Sequence, residues 1–310
     1  MKLDINDMDN FDVSKFSYET WNVILKNLNE QKDDFFNEDK LNKQLTSKIK
    51  INAFLFQNIE DDPNASVEMV ADNEYDIIIG KKLITLLLQQ AYKIVDNGYI
   101  FSDIKVDTDL RDLIAQNYFY IWINFIYLHE FSHIVRSHLN SNTKKFRFGD
   151  DYSESKKNIF YEIDADRFAM MMTTRRFSSL VNNIKKVLNR NDEEIIENYL
   201  MSIAYIFDLF YLIEGENIST NSHPSPFQRI YCVFTAFCEA IKIENSFSIE
   251  FDKLDKLADD IFKKFVLRHG EEYGLNDDYS KHYLEGKNLL EEYYEFQKNN
   301  KLDEKSIIRS

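Results

Sequence analysis

LHEFSH, residues 128–133, is the stretch on which the reading of this chain turns. Histidines four apart lie about 40° from one another around an α-helix, so His129 and His133 project from one face and can close on a single metal ion. Glu130 follows the first of them. A carboxylate at that position is turned aside from the metal yet stays near enough to accept a proton from water there, the arrangement of a zinc peptidase. The pattern fixes only three letters, and a buried helix with two satisfied histidines fits the same run.

A third ligand would separate the two readings. The metzincin pattern needs a glycine and a further histidine where this chain has Arg136 and Leu139. His138 is one residue short, and on a continuous helix it points about 140° away from His133, so it reads as a helix-end histidine favoured by the negative end of the dipole. The better candidate is in YEIDADRFAMMM, residues 161–172. Glu162 and Asp166 are four apart and share a face, whereas Asp164 points to nearly the opposite side. Glu162 would complete a His-His-Glu site and Asp166 would accept a hydrogen bond from the free ring nitrogen of a ligand histidine. Without LHEFSH, the same pairing would read as a solvated acidic face.

HEFSH, then EIDADRFA, then SHPSPFQRI at 222–230 occur in that order. In these three blocks the chain resembles the gluzincin peptidases related to HtpX and the CAAX prenyl proteases, and especially the soluble Lit-type phage-exclusion peptidases. The resemblance implies zinc held by His129, His133 and Glu162, with Asp166 supporting a ligand. It further implies that His223 helps hold the tetrahedral intermediate and that Arg229 buttresses the site. SHPSP is also a stop-and-restart signal before a helix beginning near Phe227, which would make His223 a cap. Upstream, IKINAFLFQNIE (49–60) is similar to the edge strand that runs over the gluzincin cleft, which would set Asn52 against the substrate backbone. YDIIIGKKLITLL (75–87) is similar to the strand and helix that come next. The ImmA-like regulatory peptidases also join an HExxH helix to an acidic one, but SHPSPFQR argues against them.

The fold expected is α+β and predominantly α: a gluzincin-like core with a small β-sheet, a buried HExxH helix and C-terminal helices. Seven glycines and three prolines in 310 residues leave few tight turns and call for long helices. One metallopeptidase domain is expected over 1–243, with 1–47 as a helical lead-in, followed by a helical extension over 244–310 packed on the same core. The zinc helix is expected from about Asp109 to Leu139. A polar flap should follow over 140–157, then helices over 158–188, 192–213 and 227–243.

The acidic start MKLDINDMDNFDV carries no secretory signal, and Cys232 and Cys238 read as buried thiols of a reducing compartment, so a cytoplasmic protein is expected. The uncharged run 113–128 approaches the length of a bilayer span, but it contains Gln116, Asn117 and Asn124 and leads into the motif. It reads as a buried central helix, and no membrane span is expected. A net charge of −15 argues against nonspecific binding of nucleic acid. Lys144, Lys145, Arg147, Lys156, Lys157, Arg175, Arg176, Lys185 and Lys186 crowd the middle third around the expected cleft, where they would favour an acidic substrate or simply be solvated.

Together these features predict a zinc endopeptidase acting on a protein or peptide, with Glu130 as base and His223 and Asn52 stabilising the oxyanion. The resemblance implies cleavage of an intracellular protein during phage exclusion, with a trigger or inhibitor protein as a further partner. The alternative is a non-catalytic regulator or toxin-like module that binds partners through an old peptidase fold.

Overall fold

A computed structural model describes residues 50–55, 63–98, 108–136, 138, 145–147, 156–188, 190–214, 224–244, 247–273 and 278–300. The described chain is mostly helical with one four-stranded sheet, the α+β, predominantly α class expected from the sequence. The lead-in over 1–47 and His223 lie outside the described residues.

The sheet has β1 (Lys50–Leu55), β2 (Ala65–Ala71) and β3 (Glu74–Ile79), joined by a short distant strand. β3 ends in Ile77, Ile78 and Ile79, all buried, because β-branched side chains fill a pleated surface covered on both faces. β2 and β3 form an antiparallel hairpin in which Asn73 adopts a left-handed φ of 61°, a conformation asparagine tolerates. β1 pairs with β3 in parallel.

Gly80 ends the strand and caps α1 (Lys81–Asp96), whose apolar stripe of Leu83, Ile84, Leu87, Leu88, Ala91 and Ile94 packs on α2 (Thr108–Val135). α2 is the central helix. It is apolar nearly all round because α1, the sheet and two later helices cover it, and Trp122, Tyr127, Phe119, Phe125 and Phe131 are among the largest side chains fully excluded from solvent. The helix closes at Val135, about a turn before the expected Leu139. Within the expected flap, β4 (Lys145–Arg147) adds antiparallel to β2, giving the order β1-β3-β2-β4.

α3 (Lys156–Leu188) then lies along α2, with Ala165 and Ala169 buried where small side chains permit close approach. α4 (Asp192–Glu214), α5 (Pro226–Glu244), α6 (Phe251–Tyr273) and α7 (Tyr279–Asn300) complete the fold. α5 packs along α3, and α6 and α7 both pack on α5. Ser225 and Gln228 cap α5 reciprocally, hydroxyl to backbone N–H at 3.2 Å and backbone N–H to side-chain oxygen at 2.7 Å, with Pro226 in the first helical position.

Of the described helices, only α4, at Asp192–Ile213, is long and apolar enough to cross a membrane, and 78% of that stretch is buried in the fold. Cys232 and Cys238 are buried free thiols. Arg175 and Arg176 sit about 20 Å along α3 from Glu162. There Arg175 pairs with Glu244 and Arg176 lies over the Tyr120 ring, so this part of the basic cluster does not line the site as the sequence suggested.

Candidate metal centre

α2 presents His129 and His133 one turn apart, and α3 crosses it so that Glu162 faces both. His129 Nε2 lies 3.3 Å from His133 Nε2 and 3.4 Å from Glu162 Oε2, and His133 Nε2 lies 3.7 Å from Glu162 Oε1. Donor atoms about 2.0–2.1 Å from a tetrahedral ion stand roughly 3.4 Å apart, so these three separations match the edges of one coordination tetrahedron. Glu162 Oε1 is buried without a hydrogen-bond partner, an arrangement that is costly unless a cation satisfies it. Among the described residues these three form the group able to hold a metal ion, and all three are buried.

Glu130 sits beside this group, fully excluded from solvent, and neither carboxylate oxygen has a hydrogen-bond partner. The Val67 amide of β2 is near enough to draw on its charge without making a bond of ordinary geometry. Burial pushes Glu130 up to about 8, with the charges of His129 and Arg229 opposing and that of Glu162 adding to the effect. A carboxyl poised near neutrality is suited to take and return a proton.

His129 is supported from behind. Its Nδ1 is 2.9 Å from Asp166 Oδ1, and Arg229 in the first turns of α5 holds that carboxylate with Nε at 2.7 Å and Nη2 at 2.8 Å. The guanidinium lies 5.0 Å from the Phe207 ring centroid, which fixes its plane. Burial works against charge on His129, but its hydrogen bonds to the Asp166 and Glu162 carboxylates, with their charges, outweigh it and raise the imidazole to about 10. At Glu162 burial is overcome by the hydrogen bond to His129 and the charges of His129, His133 and Arg229, which lower it to about 2. His133 goes the other way: burial and the neighbouring His129, His138 and Arg229 lower it, against the pull of Glu162.

The sequence-predicted residues His129, Glu130, His133, Glu162, Asp166 and Arg229 are therefore brought together. Asn52 is not. Its amide donates to Asp76 at 2.9 Å, and β3 lies between its strand and β2, the strand that approaches Glu130.

Two residues set aside on spacing are also present. Because α2 ends at Val135, the chain makes a wide turn in which the His138 backbone N–H donates to the His133 carbonyl at 3.0 Å. That turn swings the His138 ring back until its Nδ1 is 3.0 Å from His133 Nδ1. Asp164, on the flank of α3 turned away from Glu162, receives His138 Nε2 at 2.9 Å and Arg136 through Nε at 2.9 Å and Nη2 at 3.0 Å. Burial opposes the charge on Asp164, but His138 and Arg136 outweigh it and hold the carboxyl below the usual carboxylate range.

Comparison with curated proteins and with solved structures gives no significant match to this chain. Residues 82–242, more than half of the 310, match the family described as Peptidase U49, and the span takes in both histidines of α2, the acidic residues of α3 and the first turns of α5. With peptidase machinery legible in the sequence and gathered in space, the chain belongs to the Peptidase U49 family.

Proposed function

We propose that the protein is a zinc-dependent endopeptidase that acts in the cytoplasm on an intracellular protein, in a phage-exclusion role like that of the Lit-type peptidases it resembles. The observation that carries the reading is the convergence of His129, His133 and Glu162 at tetrahedral spacing beside an unpartnered Glu130. Two imidazoles and a carboxylate form the donor set of catalytic zinc sites that leave a fourth position open. Bound zinc supplies polarisation of a peptide carbonyl and acidification of water.

The protein's own residues do the rest. Glu130 takes a proton as water attacks the carbonyl carbon and delivers it to the departing amide nitrogen; the C–N bond breaks, and the second proton of the water passes to the amine, leaving a carboxylate and an ammonium group. Asp166 and Arg229 fix the tautomer and orientation of His129. His223 is assigned to the oxyanion on resemblance, three residues before the start of α5. Asn52 is assigned to the substrate backbone on the same ground. Residues up to 243 constitute the peptidase domain, and 244–310 is an extension of its core.

Metal content per chain, measured by elemental analysis on wild type and Glu162→Ala, tests the site: about one zinc in the wild type and a clear loss in the variant are expected. No zinc in wild type purified without chelator would overturn the proposal. Glu130→Gln tests the chemistry. It should keep its zinc and lose proteolysis of the cellular substrate by at least about a hundredfold. A cellular effect that survives this substitution unchanged would make partner binding the function.

A further inference from the structure

We propose that His138 is a positioning residue for His133, and that the C-terminal helix α7 is a working part of the metal centre through Tyr293. The inference rests on the reading that His129, His133 and Glu162 hold a cation.

His133 turns Nε2 toward His129 and Glu162 and Nδ1 toward His138. An imidazole that coordinates through Nε2 keeps its proton on Nδ1, so His133 Nδ1–H must donate and His138 Nδ1 must accept. The His138 proton then resides on Nε2, where it meets Asp164 Oδ2 at 2.9 Å. The opposite tautomer of His138 would set a bare nitrogen against a carboxylate oxygen, two acceptors facing one another in a buried site. Asp164 therefore selects the tautomer of His138, and His138 selects that of His133.

Asp164 is itself fixed from two sides. Arg136 forks onto both of its oxygens, and the Tyr293 hydroxyl donates to Oδ1 across a sequence separation of 129 residues. A second contact from α7 reinforces the first. The His138 ring stacks on Tyr161 at 4.5 Å, and Tyr161 meets the edge of Phe296 at 6.1 Å. Tyr293 and Phe296 both lie beyond the 82–242 family span, so the extension supplies support that the shared segment does not contain.

Zinc affinity of the purified full-length chain, measured by competition with a chromophoric chelator, tests this, with the visible spectrum of the cobalt-substituted protein as a second readout. His138→Ala should weaken binding about 10–100-fold, and Tyr293→Phe several-fold, each with a changed cobalt spectrum. His138→Gln, whose amide can accept from His133 and donate to Asp164, should recover most of the loss. Tyr294→Phe is the control. Its hydroxyl on the same helix serves Arg167 and Glu239, so its zinc affinity should match wild type.

Zinc affinity unchanged in folded His138→Ala and Tyr293→Phe would overturn the inference and leave the metal site standing. An equal loss in Tyr294→Phe would also overturn it, by showing a general packing effect. If His138→Ala does not fold, Tyr293→Phe decides alone. A wild type that binds no zinc would overturn the metal reading and this inference with it.

Discussion

Arg229 holds Asp166 through two parallel hydrogen bonds, at 2.7 and 2.8 Å, while the same carboxylate receives the back of His129. The pair is buried and joins α5 to the face of α3 that carries Glu162. Lysine carries the charge but not the fork. Arg229→Lys should therefore fold and bind zinc about tenfold more weakly. Arg229→Met leaves Asp166 short of a partner and should cost about 3 kcal/mol in urea unfolding. Wild-type zinc affinity in the lysine variant would show that charge alone suffices at this position.

Removing the metal should lower thermal stability, because a site formed only in the folded chain stabilises it by mass action. Zinc at about a thousand times its dissociation constant contributes roughly 4 kcal/mol, worth about 6 °C in a chain of this size. Scanning calorimetry with and without chelator should show that drop in wild type and none in Glu162→Ala. Superimposable wild-type melts would count against a structural contribution from the ion.

Asp208 of α4 should give the fold a pH dependence of its own, apart from the His129, His133 and Glu162 group. It is buried against Gln90 and Lys93 of α1 and His269, Glu272 and Tyr273 of α6. Burial raises its carboxyl from 3.8 to about 6, with the charges of His269 and Lys93 working against the rise and that of Glu272 adding to it. Between those two values the folded chain holds a proton the unfolded chain has lost, so this group's contribution falls as pH rises, by about 3 kcal/mol in all. Asp208→Asn should gain on wild type by up to that amount between about pH 4 and 7. Denaturation curves that stay a constant distance apart across this range would exclude Asp208 as the source.

Gly286 lets α7 lie against α5. A Cβ there would fall 2.6 Å from Tyr231 Cβ, an approach that rotating the ring cannot relieve. Gly286→Ala should destabilise by about 1–3 kcal/mol, despite the roughly 1 kcal/mol that alanine gains over glycine within a helix. In a Tyr231→Gly background, which removes that Cβ, the sign should reverse. A stabilising Gly286→Ala in the wild-type background would mean that the helices have room to part.

Most of the metal face could be read from sequence because helical periodicity is a local rule. The four-residue spacings of His129 to His133 and Glu162 to Asp166 fix which side chains share a face before any tertiary contact forms. SHPSP likewise announces the start of α5 through local capping chemistry. The direction of the His138 ring is not legible in the sequence, because it follows from where α2 ends, and helix ends depend on what the last turn packs against. Asp164 was placed correctly on the flank facing away from Glu162, but nothing local says that the flank is buried under α7. Tyr293 carries no sequence signal, since its role arises from the packing of a helix more than a hundred residues distant. The strand that carries Asn52 is legible in the sequence, but the order of strands in the sheet, which sets β3 between it and β2, is a non-local property.

Within six residues α3 commits Glu162 to the ligand group, Asp164 to His138, Arg136 and Tyr293, Asp166 to His129 and Arg229, and Arg167 to Glu239 and Tyr294. One inserted or deleted residue would turn everything beyond it by about 100° and mismatch several of these partners at once. This stretch should refuse any change of length. Natural variation in length among related chains should therefore leave the spacing from Glu162 to Arg167 fixed.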